Sequence, residues 1–584
     1  MLTNIFLNDK IKLTIYRKDM DKMKKVLSIL LVITLVFAIA SPATSALYYT
    51  DPTVTCETPT IYISGDSNNI YYNDDTESFK IDDILAFLGI DDDGAEEEEE
   101  EDDGAILEAS MNILLPFIFE GIISGEWDNY YAAVEKEIGD LFEPVRLDEN
   151  GNIPEGSDSG IGKERTATMQ YNKTHDKKDS KGRYGEKTYE FFYDWRLDPM
   201  ELADELHEYI EGIKLYTGHD QVTLNCRCLG TNVALAYIAK YGTDSLKGFG
   251  IDVATSNGAD FLSGIISGDF GIDGNAIVRL IMDLQSLDSS ISVSPVITST
   301  IELLSNTGVL DTLTDVARRE LYAEIEYGII SALATATFLT FPCYWALVSP
   351  EDLDTALTYV FGEEGSEKRV KYAGLIEKIT TYNDTVKVNV DDILKATSSA
   401  GVNLCIISKY GTQMVPVLKD GSILGDQYVS VEKSSFGATT STLYETLSDE
   451  YIAERTELGY GKYISPDKQI DASTCLFPDY TWFIKGCAHG FYSTNERDLI
   501  LTTIDADRQL TVNDFQWTQF IVFSYDTVAF APMTEENCNT ESWGDADSSV
   551  DNPETKDEKL SSMLKSLFKW LRAILEALTQ LLSK

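Results

Sequence analysis

A cysteine occupies a position suited to a nucleophile. Residues 221–242 read QVTLNCRCLGTNVALAYIAKYG, an apolar strand pattern that passes directly into an apolar helix pattern. A sharp turn between such a strand and helix exposes the side chain at its tip, and small residues two positions before and after allow the close approach. Gly230 follows Cys228 at this distance, and Cys226 precedes it. A thiol there, served by a histidine, could attack an ester and form a thioester that water or an alcohol resolves.

The elements around this turn predict an α/β fold. Strand patterns alternate with helical ones, and strands of this kind form a mostly parallel sheet flanked by helices. The nucleophile turn makes this the α/β-hydrolase fold, and the helical patterns of residues 259–385 predict a cap inserted into it. The clearest strand patterns are at 58–65, 246–255, 402–411 and 480–486.

Chain order restricts the partners of Cys228. In α/β-hydrolases the nucleophile, the acid and the histidine follow in that order along the chain. Of the 4 histidines, His489 alone lies after Cys228, just past a late strand pattern. The acid should follow the preceding strand, where Asp420 and Asp426 are candidates. Asp420 lies in the sequence Lys-Asp-Gly, and Asp-Gly is a common turn dipeptide, so the turn alone explains this aspartate. Asp426 is therefore preferred as the acid.

Several segments resemble the lecithin:cholesterol acyltransferase-like branch of the α/β-hydrolases, which includes phospholipase- and acyltransferase-type enzymes. In chain order they are YDWR (193–196), the frame around Cys228, ATSNGADFLSGIISGD (254–269), FPCYWALVSP (341–350), GDQYVSVEKSSFGAT (425–439) and HGFY (489–492). Together they span most of residues 58–495. The chain departs from the family in having cysteine for the nucleophilic serine, and Cys226 for the first glycine of the turn.

The resemblance implies a role for each site residue. Cys228 would be the nucleophile, Asp426 the acid and His489 the base. The oxyanion hole would combine the Leu229 N–H with the loop near Gly65 and Asp66, and Trp195 and Arg196 would lie near the substrate pocket. The family's chemistry implies a lipid or other acyl-ester substrate and no metal or organic cofactor.

The composition excludes nucleic acid as a partner. The 584 residues carry a formal net charge of −50, so phosphate backbones would be repelled. The most acidic run, at 91–104, is expected to be a solvated loop within the first part of the hydrolase core, residues 47–258. The second part of the core is expected at 386–533.

The N-terminal region has the pattern of an export signal. Within residues 1–46, two lysines precede an apolar run, and Ala43-Thr44-Ser45-Ala46 offers a small-residue cleavage site. The alternative is an uncleaved anchor helix. We expect a bacterial protein that is secreted or associated with the cell surface.

Two apolar segments could contact a membrane. Residues 327–350 carry no charge and are long enough to span one, but Pro342 and the strands that follow favour a buried or substrate-facing part of the cap. After an acidic linker at 534–558, residues 559–584 form a basic amphipathic helix pattern. This helix could attach to a membrane surface, or equally dock on its own domain or a partner helix.

Three functional interpretations remain at this point. The leading one is a secreted lipid ester hydrolase or O-acyltransferase that uses a Cys-His-Asp triad. The second is a non-catalytic lipid- or envelope-binding protein on a degenerate hydrolase scaffold. The third treats Cys226 and Cys228 as a redox pair or as small packing residues.

Overall fold

In the part of the chain that the structure describes, the strands form one large sheet and two small ones. The computed structural model describes residues 54, 56–65, 69–79, 116, 126–163, 188–269, 338–414, 421–515, 518–524 and 529–538. Its strands are β1 Thr60–Ile63, β2 Ile70–Tyr72, β3 Glu77–Phe79, β4 Thr188–Glu190, β5 Val222–Arg227, β6 Leu246–Asp252, β7 Asn403–Tyr410, β8 Thr439–Thr440, β9 Ile470–Asp471, β10 Thr481–Lys485, β11 Phe520–Ser524 and β12 Ala529–Pro532.

The central sheet has eight strands in the order β4–β1–β5–β6–β7–β10–β11–β12. Every pairing in it is parallel except that of β11 with β12. β5 lies between β1 and β6, and Cys226 pairs in register with Ile63 on one side and Ile251 on the other. The carboxyl ends of the parallel strands therefore meet at one edge, where ligands bind in open α/β sheets. β2–β3 and β8–β9 form separate antiparallel pairs.

Helices connect the strands. They are α1 Asp128–Phe142, α2 Pro199–Thr217, α3 Leu229–Tyr241, α4 Asp260–Ser267, α5 Pro342–Trp345, α6 Leu353–Phe361, α7 Glu367–Lys371, α8 Ala373–Thr385, α9 Val390–Ser399, α10 Val431–Ser434, α11 Asp449–Glu457 and α12 Thr494–Ile504. The ends of α2 follow from the sequence. Asp198 caps its first turn by accepting from the Met200 N–H, and Gly218 closes it with a φ of 73°.

Helices cover both faces of the sheet. α2, α8 and α9 pack on α3, whereas α12 packs on β5, β6 and β7. Strand β7 shows the two faces, because successive side chains of a strand point in opposite directions. Leu404 and Ile406 join the core cluster that contains α3, and Cys405 and Ile407 join the one that contains α12. This sheet confirms the fold class predicted from the sequence.

The predicted cap is described only in part. Residues 259–269 and 338–385 contain α4 to α8 and no strand, and α8 packs on α3 beside the sheet. Within the uncharged segment 327–350, the described residues include the buried helix α5. None of the helices in the described ranges is long and apolar enough to cross a membrane. The export signal, the acidic run, residues 270–337 and the C-terminal helix lie outside the described residues.

Candidate active site

Cys228 lies at the tip of a strained turn between β5 and α3. Its backbone has φ 49° and ψ −125°, a conformation that side chains rarely adopt and that costs on the order of 1–3 kcal/mol. Its N–H donates to the Asp252 carbonyl at the end of β6 (3.0 Å), which fixes the turn to the neighbouring strand. The thiol is half-buried, whereas Cys226, two residues earlier, is fully buried in the sheet. The turn therefore presents one of these two thiols, that of Cys228.

Gly230 is required for this turn to form. A Cβ at this position would lie 2.4 Å from the Ile63 carbonyl oxygen and 2.5 Å from that of Ser64. Both atoms belong to the backbone at the end of β1, so neither can move aside cheaply. The small residue expected after the nucleophile thus has a direct cause, which is the contact of α3 with β1.

The loop after β1 lies against Cys228. A Cβ on Gly65 would come within 3.3 Å of the Cys228 Cβ and 3.6 Å of its Sγ. The hydroxyl of Tyr193, a fully buried residue, donates to the carbonyls of Ser64 (2.8 Å) and Gly65 (3.0 Å). Both carbonyl oxygens are thereby engaged by Tyr193. Asp66, the second residue expected here, lies outside the described residues.

The start of α3 lies beside Cys228, because Leu229 directly follows it in the chain. Leu229 is the first residue of α3, and N–H groups in the first turn of a helix have no acceptor within the helix. The positive end of the helix dipole adds to their attraction for a negative oxygen. Leu229 N–H and the Gly65 loop are thus adjacent to Cys228, the placement that an oxyanion hole needs.

Asp426 and His489 meet at the carboxyl ends of β7 and β10. The Asp426 Oδ2 lies 2.8 Å from His489 Nδ1. Its other oxygen, Oδ1, accepts from the N–H groups of Tyr428 (3.2 Å) and Val429 (2.9 Å). The His489 N–H donates to the Asp426 carbonyl (2.8 Å), which ties the two loops together. The carboxylate is fully buried and oriented by these bonds, so it holds the imidazole in one orientation.

His489 connects the acid to the thiol. With Nδ1 on Asp426, its other ring nitrogen, Nε2, is left for the hydrogen bond that the imidazole makes with Cys228. Burial alone would lower the pKa of His489, but the charges and hydrogen bonds of Asp426 and Cys228 outweigh it and raise the pKa to about 10. Asp426 and Cys228 thus favour the protonated form of the imidazole. The structure brings together the three residues expected to form the triad.

Trp195 and Arg196 lie in the interior. Trp195 is fully buried and packs edge-on against Phe341, with ring centroids 5.9 Å apart. The Arg196 guanidinium pairs with Asp194, with Nη2 2.5 Å from Oδ2, and Nη1 donates to the Val145 carbonyl. Arg196 is also fully buried, so its guanidinium holds the protein's own groups. A role of either residue at the substrate pocket stays a prediction.

Sequence reasoning missed two features of the site. One is Tyr193, which lies in the YDWR segment but was not assigned a role. The other is a group of buried charges behind His489, formed by Arg227, Asp252, Lys409 and Glu496. A signal for it existed, because Asp252 and Lys409 place charges near the ends of mostly apolar strands, and buried charges are rare unless paired.

The remaining chemistry of the site concerns thiols and metals. Cys226 and Cys228 form no disulfide with each other. Burial raises the pKa of the Cys226 thiol well above its ordinary value. Among the residues that the structure describes, no group of three or more His, Cys, Asp or Glu side chains could hold a metal ion.

The mostly parallel sheet flanked by helices and the strained turn at Cys228 between β5 and α3 define an α/β-hydrolase type of fold. No family model and no curated protein sequence matches the chain. Among solved structures, it is similar to a chain in "The crystal structure of Tle4-Tli4 complex". The identity is 13%, the match covers 60% of this chain and 74% of the other, and the TM-score is 0.21.

Proposed function

We propose that the protein is an acyl-ester hydrolase or O-acyltransferase with Cys228 as its nucleophile. The observation that carries the proposal is the continuous contact from Asp426 through His489 to Cys228 at the tip of a strained turn. A structural thiol needs neither that backbone strain nor a histidine oriented by a buried carboxylate. Lipid esters are the proposed substrates, on the strength of the resemblance to the lecithin:cholesterol acyltransferase-like family.

The proposed reaction begins when His489 takes the proton of the Cys228 thiol. The Cys228 sulfur attacks the ester carbonyl carbon, a C–S bond forms, and the carbonyl oxygen becomes an oxyanion facing the Leu229 N–H and the Gly65 loop. When the intermediate collapses, the alcohol leaves with the proton from His489 Nε2. Water or a second alcohol then gives a proton to His489 and attacks the thioester. The C–S bond breaks, the acyl product leaves, and the Cys228 sulfur takes the proton back from His489.

The test measures turnover and the covalent intermediate together. Wild-type protein should hydrolyse an activated ester and a short-chain thioester, and its mass should rise by one acyl group during turnover. Cys228→Ala should abolish both, and His489→Asn should reduce both strongly. Cys475→Ala is a matched control, because it removes another buried thiol, one whose Sγ donates to the Ala472 carbonyl.

Equal rates in wild type and in Cys228→Ala would refute the proposal. If both substrates and their long-chain lipid analogues were left intact while liposomes were bound, the non-catalytic lipid-binding alternative would replace it. The comparison of Cys475→Ala with Cys228→Ala separates loss of chemistry from a general effect of removing a thiol.

We also propose that the protein is exported and meets lipid at a surface. The support is the signal pattern in residues 1–46 and the basic amphipathic pattern in residues 559–584. Mass spectrometry of the mature N-terminus from the native host should show cleavage after the small-residue site. Deletion of 559–584 should weaken binding to anionic liposomes. An intact N-terminus or unchanged binding would contradict the respective part.

A further inference from the structure

Four charged side chains lie together behind the loop that carries His489. Arg227 ends β5, Asp252 ends β6, Lys409 lies near the end of β7 and Glu496 belongs to the first turn of α12. The side chains of Asp252, Lys409 and Glu496 are fully buried, and that of Arg227 is 12% exposed. The cluster thus joins three neighbouring strands and the helix that follows the His489 loop.

Its members pair closely with one another. Arg227 Nε lies 2.9 Å from Asp252 Oδ2. Lys409 Nζ lies 3.3 Å from Asp252 Oδ1 and 2.7 Å from Glu496 Oε1. The free-energy cost of removing such charges from water is often as large as the gain from their mutual attraction. Stability alone is therefore a weak reason for this cluster.

The two cations also reach outward to the backbone of the His489 loop. Arg227 Nη2 donates to the His489 carbonyl and, at 3.0 Å, to the Phe491 carbonyl. Lys409 Nζ donates to the same Phe491 carbonyl at 2.5 Å. The guanidinium carbon of Arg227 lies 5.1 Å from the centroid of the Tyr492 ring, and the Tyr492 hydroxyl accepts from Asn225. Arg227 thus contacts three residues of the loop, His489, Phe491 and Tyr492.

We propose that Arg227 and Lys409 are positioning residues that fix the backbone of residues 489–491 and so hold the His489 ring between Asp426 and Cys228. Asp252 and Glu496 hold the two cations, through their ion pairs, within reach of the loop carbonyls. Arg227 directly precedes Cys228 in the chain. Its hydrogen bonds therefore connect the turn at Cys228 to the loop that carries His489.

The charge of the cluster suits this task. Burial opposes ionisation of Asp252, but Lys409 and Arg227 outweigh it and lower its pKa. Burial and the Asp252 charge raise the pKa of Glu496. Both cations keep N–H groups beyond those that face Asp252 and Glu496, and these donate to the carbonyl oxygens of the loop.

Arg227→Lys tests the proposal. A lysine keeps the charge beside Asp252 but loses the planar fork that reaches the two carbonyls. The control is Arg455→Lys, because Arg455 pairs with the buried Asp471 at 2.7 Å and its side chain is 18% exposed. Two readouts need no substrate. One is the alkylation rate of Cys228 by iodoacetamide as a function of pH, followed by peptide mass spectrometry, and the other is the NMR signal of the His489 ring, identifiable among only 4 histidines.

We expect Arg227→Lys to lower the alkylation rate near pH 6.5 by about 10- to 100-fold, since a displacement of about 1 Å in a reacting pair has effects of this size. The His489 NMR signal should shift, and Arg455→Lys should change neither quantity. In a His489→Asn background, Arg227→Lys should change the alkylation rate less than about twofold, because the arginine acts through His489. If Arg227→Lys fails to fold, Arg227→Gln replaces it with the same expectations.

An unshifted His489 signal with a wild-type alkylation profile would overturn the inference, as would an equal loss of rate in both backgrounds. The inference rests on the proposed function only for its consequence in catalysis. A protein without esterase activity whose His489 signal shifts in Arg227→Lys would refute the proposed function and leave the positioning role supported.

Discussion

The substitution Gly65→Ala is predicted to impair catalysis without unfolding the protein. The new methyl carbon would lie 3.3 Å from the Cys228 Cβ and 3.6 Å from its Sγ. A contact of 3.3 Å is tight but needs only a few tenths of an ångström of movement. Gly65 does not have a positive φ, so its backbone conformation accepts alanine. The gain of about 0.4–1 kcal/mol from a less flexible unfolded chain should offset the crowding.

The cost in rate follows from where the methyl group lies. A substrate carbonyl carbon must come within about 3–3.5 Å of the attacking sulfur, and displacement by about 1 Å costs on the order of 100-fold. We therefore expect kcat/KM to fall about 100-fold, or about 2.7 kcal/mol of transition-state stabilisation. The loss should fall mainly on kcat, because the methyl group obstructs the reacting centre.

The assay compares ester hydrolysis and thermal unfolding in wild type, Gly65→Ala and Gly160→Ala. Gly160 is a matched control, because a Cβ there meets nothing within 4 Å and the backbone φ is also ordinary. Wild-type kcat/KM in Gly65→Ala would refute the assignment of this loop to the oxyanion side of the site. A fall in melting temperature parallel to the fall in rate would show that the methyl group disturbs the fold instead.

Three further substitutions test other parts of the structure. Gly230→Ala should lower the free energy of unfolding by about 2 kcal/mol or more as well as activity, because its Cβ would lie 2.4 Å from the Ile63 carbonyl; an unchanged urea midpoint would contradict this. Asp426→Asn should reduce kcat on the order of 1,000- to 10,000-fold, since the amide no longer orients His489 in the required tautomer; a loss under about tenfold in steady-state kinetics would exclude that role. Burial lowers the pKa of Lys387 from 10.5 to about 7, so between these values the unfolded chain binds the proton and the folded chain does not. The free energy of unfolding should therefore rise with pH across this window, with a smaller slope in Lys387→Met; equal slopes in urea titrations would refute it.

Local signals in the sequence accounted for the sheet and for the nucleophile turn. The apolar runs at 402–411 and 480–486 became β7 and β10 almost within their predicted bounds, since a strand buried on both faces needs a continuous apolar run. The turn at Cys228 was predictable because Gly230 and the apolar pattern on each side are local requirements of one sharp connection. His489 was predictable for a different reason, namely that no other histidine follows Cys228.

The sequence by itself therefore determined the class of fold, the turn at Cys228 and the chain order of the residues proposed for the triad. It left two candidates for the acid, and only the tertiary structure brought Asp426 within 2.8 Å of His489; Asp420 lies outside the described residues. Tertiary structure alone also revealed the hydroxyl of Tyr193 on the Gly65 loop and the cations Arg227 and Lys409 beneath the His489 loop. Apolar periodicity reports which residues are buried, but contacts between polar groups far apart in the chain depend on which strand ends become neighbours and how their side chains pack there.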